Sequence, residues 1–225
     1  MKLLELTSSL NHYYLRSWIW RKMESGGEAI SHIQNTAERF IVLTCCSQFR
    51  IRLAIIKHIP LLAKQLGQDF FSEKLSSLCV GWLGDDISSI RQAAATNLRD
   101  LTELFGTEWA TEYLVPSITE MRQHPSYLRR LTAVQACAMM STKMEPEIVA
   151  IEILPLVLEL STDTVANIRF NVARALEQMG PICGQSVYDT QIRPVLNVLI
   201  EDPDRDVRFF SEKTSRALEE AFGSE

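Results

Sequence analysis

Arginine recurs at Arg52, Arg91, Arg130, Arg169 and Arg208, each 39 residues after the last, with no insertion anywhere between them. Other columns keep the same register. One residue before the arginines stand Ile51, Ile90, Arg129, Ile168 and Val207, and ten after stand Leu62, Leu101, Met140, Met179 and Leu218. Nine before are Leu43, Trp82, Met121, Leu160 and Leu199; twelve before are Phe40, Cys79, Ile118, Val157 and Leu196. Fifteen after come Gly67, Gly106, Glu145, Gly184 and Gly223. A fixed period of this length is the signature of a repeat architecture, and it constrains the fold before any one segment is read.

The columns also say what each copy is. The stretch before each arginine, such as residues 155–160 (PLVLEL), carries apolar residues at helical spacing, and in the last three copies it holds a proline, Pro116, Pro155 or Pro194. A short polar break follows at residues 84–86 (GDD), 123–125 (QHP), 161–163 (STD) and 201–203 (EDP). A second apolar-periodic run then begins, for example residues 165–176 (VANIRFNVARAL), and ends near the glycine column. There glycine can adopt the positive φ that closes a helix. Each unit therefore reads as helix A, a tight turn, helix B and a linker. An all-α chain of 39-residue helix pairs fits the HEAT class of α-solenoid. One pair cannot bury its own apolar face, so pairs must stack, and stability becomes largely a sum of neighbour interfaces.

Residues 39–225 are thus expected to form a solenoid of about five repeats, the first incomplete in its helix A. Residues 1–38 stand apart. Thirty-nine before Arg52 lies Tyr13, and its surroundings, residues 11–20 (NHYYLRSWIW), match no other copy; residues 25–27 (SGG) then break the chain. This segment is either a cap or a sequence joined on by a truncated or alternatively spliced transcript. Two tryptophans and two tyrosines within residues 13–20 make an awkward exposed cap and favour the second reading.

Composition excludes several functions. Only nine glycines and eight prolines are present, as a helical chain requires. With 23 Lys and Arg against 28 Asp and Glu, net charge −5, the chain is not built to neutralise a phosphate backbone. No stretch approaches the ~20 apolar residues of a membrane span, and Glu5 interrupts any signal-peptide core. The cysteines (Cys45, Cys46, Cys79, Cys137, Cys183) include no CxxC pair and lie in apolar runs, so they read as buried, reduced thiols of a cytoplasmic or nuclear protein. Catalytic and cofactor signatures are missing: no P-loop, GxGxxG, HExxH or GxSxG occurs. His12, His32, His58 and His124 are scattered, without a His or Cys at metal-ligand spacing, and His124 is expected to be solvated in its turn. Asp85 and Asp86 suit helix capping better than acid/base work. Neither an enzyme, a cofactor nor a metal site is expected.

Asp85, Asp163 and Asp202 precede their arginines by six residues, and Asp100, Glu177 and Glu219 lie nearby. Recurring Arg beside recurring Asp at the inter-helix turn predicts a ladder of ion pairs and helix-end contacts between neighbouring repeats. Arg52, Arg91, Arg169 and Arg208 are assigned to this structural ladder.

Several strings are more specific than generic solenoid patterning: residues 50–56 (RIRLAII), 60–67 (PLLAKQLG), 70–79 (FFSEKLSSLC), 105–110 (FGTEWA) and 165–173 (VANIRFNVA). From about Phe49 to about Leu218 the chain resembles the carboxy-terminal repeats of the A, or 65 kDa regulatory, scaffold subunits of protein phosphatase 2A. The resemblance implies a non-catalytic scaffold that grips a phosphatase catalytic subunit through its intra-repeat turns. Upstream repeats hold the regulatory subunit in that family, so no regulatory-subunit partner is expected here. Equivalent positions of a solenoid line one edge, and residues two to four before each arginine form that edge. The residues implied as contacts are Phe49, Arg50, Ser88, Tyr127, Arg130, Val165 and Asn167. Phe49 stands where the family has Trp, and Ser88 where it has Tyr, which removes an aromatic anchor. Two rival readings remain: a HEAT adaptor for another protein in transport or complex assembly, and a helical-repeat nucleic-acid binder, which the charge balance opposes.

Overall fold

The computed structural model describes residues 49–223. The chain divides into two compact units, Met1–His58 and Ile59–Glu225. The segment 1–38 and helix A of the first copy, with Cys45 and Cys46, lie outside the described residues. Of the first unit, helix α1 (Phe49–Ile56) is described. It closes on a turn in which the amides of Lys57 and His58 donate to the carbonyls of Leu53 and Ile55. His58 Nδ1 lies 2.7 Å from the Ala54 carbonyl. Helix B of the first copy is therefore in two parts, because Pro60 lacks the amide that an unbroken helix would need; α2 (Ile59–Leu66) is the second part.

In the second unit every described element is a helix, and no strand occurs among the described residues. Helix A of each copy is itself segmented. The pairs are α3 (Gln68–Lys74) and α4 (Ser76–Gly81); then, after helix B α5 (Ser88–Phe105), α6 (Thr107–Tyr113) and α7 (Val115–Met121). Helix B of the third copy is α8 (Tyr127–Ser141), and α9 (Pro146–Ile148) leads through a wide π turn, Val149–Ile153, into α10 (Leu154–Glu159). Next come α11 (Ala166–Cys183), α12 (Gln185–Val187), a second π turn at Tyr188–Ile192, α13 (Arg193–Ile200) and α14 (Arg205–Phe222). Pro116, Pro155 and Pro194 each sit just inside the second segment. A proline there removes one main-chain hydrogen bond and crowds the preceding turn, so the helix bends or widens before it. The second copy has Ser77 in that column and bends all the same. Its Ser72 and Ser76 hydroxyls donate to the Gln68 and Ser72 carbonyls at 2.7 and 2.6 Å, a back-bond that bends helices without proline.

The repeat columns are the core. Cys79, Ile118, Val157 and Leu196 are buried, as are Trp82, Met121, Leu160 and Leu199, and Leu62, Leu101, Met140, Met179 and Leu218. So are Ile90, Ile168 and Val207. Arg129, the polar member of that last column, is exposed, and its guanidinium lies against Gly84. Successive B helices α5, α8, α11 and α14 pack directly on one another. Buried hydrogen bonds cross between copies: Trp109 Nε1 donates to Ser72 Oγ at 2.7 Å, and Thr214 Oγ1 to the Ala173 carbonyl at 3.1 Å. Gly67, Gly106 and Gly184 share one backbone state, φ 81–91° with ψ 164–171°. This is an extended mirror-image state open to glycine alone, rather than the left-handed helical one. It turns the chain from helix B into the next helix A. Glu145, in the same column, takes ordinary extended angles (φ −67°, ψ 136°), reached through residues 142–144.

Candidate functional site

The intra-repeat turns are built the same way four times. Asp85 Oδ1 accepts from the Ile87 amide at 2.9 Å, Asp163 Oδ1 from Val165 at 2.9 Å, and Asp202 Oδ1 from Asp204 at 2.9 Å. In the remaining copy His124 takes the aspartate's place, and its Nδ1 accepts from the Ser126 amide at 3.0 Å. His124 is half-buried and closes its turn, where the sequence pattern predicts a solvated side chain. Accepting at Nδ1 requires the tautomer protonated on Nε2.

Each column arginine of the second unit then donates back to its own turn. Arg91 Nη1 reaches the Asp85 and Asp86 carbonyls at 2.8 and 2.9 Å, and Arg130 Nη1 the His124 and Pro125 carbonyls at 2.9 and 3.0 Å. Arg169 Nη1 reaches the Asp163 carbonyl at 2.7 Å, and Arg208 Nη1 those of Asp202 and Pro203 at 2.8 and 2.9 Å. Two arginines also reach forward. Arg130 forks onto Asp163 (Nε–Oδ2 2.6 Å, Nη2–Oδ1 3.0 Å), and Arg169 onto Asp202 (2.7 and 2.8 Å). These rungs join residues 33 apart and so tie the turn of the third copy to that of the fourth, and the fourth to the fifth. Their side chains are 14% exposed for both arginines and 6% and 8% for the aspartates, and bidentate charge-assisted bonds of this kind are the strong ones.

The electrostatics follow from the rungs. Burial pushes the Asp163 carboxyl up, but the Arg130 fork, the Val165 amide and the charges of Arg130 and Arg169 outweigh it and hold it below the ordinary carboxylate range. The Arg169 fork, against opposing burial, holds Asp202 low as well. Hydrogen bonding to the two carboxylates raises Arg130 and Arg169 in turn. The other acids near the column take different partners. Asp100 pairs with Arg99 at 2.7 Å, Glu177 with Lys213 at 3.5 Å, and Glu219 accepts from Ser215 Oγ at 3.2 Å.

The contact residues expected from the sequence separate at these turns. Arg130 forms a rung: its guanidinium is engaged by Asp163 and by its own turn, as that of Arg169 is by Asp202 and Asp163. Tyr127 begins α8 and is 43% exposed, and Asn167, beside the start of α11, is exposed with its carbonyl and Oδ1 accepting from Asn171 Nδ2. Ser88, the first residue of α5, is exposed, and Val165, the extended residue before α11, is half-buried. In the first unit, Phe49 and Arg50 open α1, both exposed, with the guanidinium 5.9 Å from the ring centroid. Arg52 is half-buried in the same helix.

One exposed surface escaped the sequence reading. Phe209 is 60% exposed, Phe210 stacks on Phe170 at 5.2 Å, and Arg174 lies over the Phe210 ring at 5.6 Å. Its signal was available: Leu131, Phe170 and Phe209 share the column directly after the arginines, one turn beyond Tyr127, Ala166 and Arg205 on the same helix face. Beside it runs a groove of about 560 Å³ along α5, α8 and α11, lined by Ser88, Arg91, Gln92, Gln135 and Asn171 among others.

The cysteine thiols offer no chemistry here. Burial pushes Cys79 up beyond ordinary thiol values, Cys137 up to about 12 and Cys183 up to about 11, so none of the three supplies a thiolate near neutrality. Among the described residues no group of three or more His, Cys, Asp or Glu could hold a metal ion, and no helix is long and apolar enough to cross a membrane.

Comparison with known proteins agrees with this architecture. The HEAT repeat family model matches residues 153–183, one helix pair of the array. The chain is 44% identical over 73 residues to the PP2A protein phosphatase regulatory A subunit of Schizosaccharomyces pombe, covering 32% of this chain and 12% of that protein. It is 35% identical over 128 residues to the corresponding protein of Saccharomyces cerevisiae, covering 53% of this chain and 20% of that one. The likeness thus spans a fifth or less of these relatives' length. In fold, the chain matches the crystal structure of an engineered protein with a TM-score of 0.51 and 17% identity, over 97% of this chain and 98% of the other. Helix pairs in strict register, a matched HEAT repeat and these sequence relatives together identify the chain as a HEAT-repeat α-solenoid similar to the regulatory A subunits of protein phosphatase 2A.

Proposed function

We propose that this chain is a non-catalytic scaffold whose intra-repeat turns hold the catalytic subunit of a serine/threonine protein phosphatase. The observation that carries the reading is the sequence similarity to phosphatase regulatory A subunits. Geometry supports it further. Rungs of arginine and aspartate hold successive turns in fixed register, and the turns present Tyr127 and Asn167 to solvent. Aromatic side chains on a rigid edge are the anchors a protein interface favours. Ser88, Val165 and, on the first unit, Phe49 and Arg50 are the remaining contacts of this reading. Neither a nucleic acid nor a membrane is its partner, in keeping with a net charge of −5. The reading assigns the chain to the cytoplasm or nucleus, where thiols such as Cys79 and Cys137 stay reduced.

The test is calorimetric titration of the purified chain with a protein phosphatase 2A catalytic subunit, together with affinity purification from its native cells. A saturable complex that Tyr127→Ala weakens supports the reading. No complex, with a different protein recovered from cells, sinks it in favour of an adaptor for that protein.

A further inference from the structure

Among the described residues of the second unit, the rung is missing at one joint. Arg130 and Arg169 each present Nε and Nη2 to the carboxylate 33 residues on, but the residue 33 after Arg91 is His124. His124 keeps the turn-closing half of the aspartate's work, because a ring nitrogen can accept the Ser126 amide. It cannot supply the second half: an imidazole has no pair of anionic oxygens to face a guanidinium fork. Arg91 accordingly bonds only through Nη1, to the Asp85 and Asp86 carbonyls, and among the described residues its Nε and Nη2 edge meets no carboxylate.

Two further features mark the same joint. Arg91 is half-buried, not sealed in the core, and is among the residues lining the groove of about 560 Å³, with Ser88 and Gln92. The apolar column of Ile90, Ile168 and Val207 is broken here by Arg129, whose guanidinium rests against Gly84 in the turn before α5. A cation thus stands at the same joint from which the rung acid is missing.

We propose that Arg91, supported by the charge of Arg129, is an open carboxylate seat on the turn edge, filled by an aspartate or glutamate side chain of the docked protein. The incoming carboxylate takes the place that Asp163 and Asp202 fill from within the chain at the next two joints. A protein side chain is the occupant because the seat lies on the edge to which the catalytic subunit is assigned, and the inference rests on that docking reading. A guanidinium edge with an internal precedent for bidentate carboxylate binding selects a planar, two-oxygen acceptor over a point anion.

His124→Asp tests this, since it offers Arg91 an internal carboxylate. Its melting temperature and its affinity for the phosphatase 2A catalytic protein are measured beside those of the parent, Arg91→Gln and Tyr127→Ala. Filling the rung from within should raise the melting temperature by about 2–4 °C while weakening binding about tenfold or more. Arg91→Gln should weaken binding to a similar degree while lowering the melting temperature, so the two variants move stability in opposite directions and affinity in the same one. A melting temperature of His124→Asp that is unchanged or lower shows that no vacancy exists and overturns the proposal, whatever the partner does. A higher melting temperature with undiminished binding, while Tyr127→Ala still weakens the complex, overturns the seat and leaves the docking reading standing. Absence of any complex with the parent chain removes the docking reading itself.

Discussion

Replacing Arg169 by alanine deletes one rung cleanly. Three charge-assisted hydrogen bonds disappear, two to Asp202 at 2.7 and 2.8 Å and one to the Asp163 carbonyl at 2.7 Å. Exposed pairs are worth about 0–1 kcal/mol, whereas removing one partner of a buried pair costs about 3–5 kcal/mol because the other charge is stranded. With Arg169 14% and Asp202 8% exposed, the rung sits towards the buried end, and a cost of about 3 kcal/mol is expected. A domain of 150–250 residues loses about 2–4 °C of melting temperature per kcal/mol, so the fall should be about 6–12 °C. Thermal unfolding followed by far-UV circular dichroism reads it, and hydrogen exchange should place the loss in the fourth and fifth copies. The double variant Arg169→Ala with Asp202→Asn should melt above the single one, since the amide oxygen can still accept from Asp204 and no unpaired carboxylate is left beside the turn. A single variant melting within about a degree of the parent would refute the assignment of this arginine to stacking.

Acid should act on the same rungs. Asp163 and Asp202 are held low in the folded state, so their stabilisation is fully present above the unfolded carboxylate value of about 3.9 and is lost as pH falls through their folded values. Melting temperatures taken from about pH 7 to about pH 3 should drop at the acid end, and Asp163→Asn with Asp202→Asn should flatten that drop while lowering the neutral-pH value. Tyr127→Ala should leave the melting temperature nearly unchanged, because the side chain is 43% exposed, yet weaken the phosphatase complex by about 1 kcal/mol or more; calorimetric titration checks both, with exposed Glu145→Ala as the neutral control. Gly106→Ala should cost about 1–3 kcal/mol in chemical denaturation although a Cβ there would touch nothing within 4 Å, because φ 91° with ψ 171° is closed to an L side chain.

The fold was legible because it is written five times. A column such as Cys79, Ile118, Val157 and Leu196 carries a signal that no single helix could, and every one of these side chains is buried. Arg129 is the instructive exception: its register was plain from the sequence, but nothing there revealed that Gly84 leaves room for its guanidinium. The site was half legible. That arginines and aspartates meet at the turns follows from their recurrence, but not which aspartate each arginine meets, because a link over 33 residues depends on how far one helix pair is displaced from the next. For that reason the rung of Arg130 onto Asp163 went unread, and Asp100 and Glu177 looked like rung acids. The segmented A helices were hidden differently. Proline marks three of the bends, whereas in the second copy the bend depends on where the Ser72 and Ser76 hydroxyls point.

Because each aspartate in the completed rungs serves two arginines, Arg130, Asp163, Arg169, Asp202 and Arg208 form one uninterrupted polar chain along the turns. In a linear array the size of the cooperative block depends on the coupling between neighbours as well as on the stability of each unit. The charged rungs of that coupling run unbroken from the third copy onwards and are missing across the joint at His124. An opening that starts in α14 should therefore draw in α11 and α8 together and halt at the second copy. The unit expected to melt is then three helix pairs long, although the unit that repeats is one.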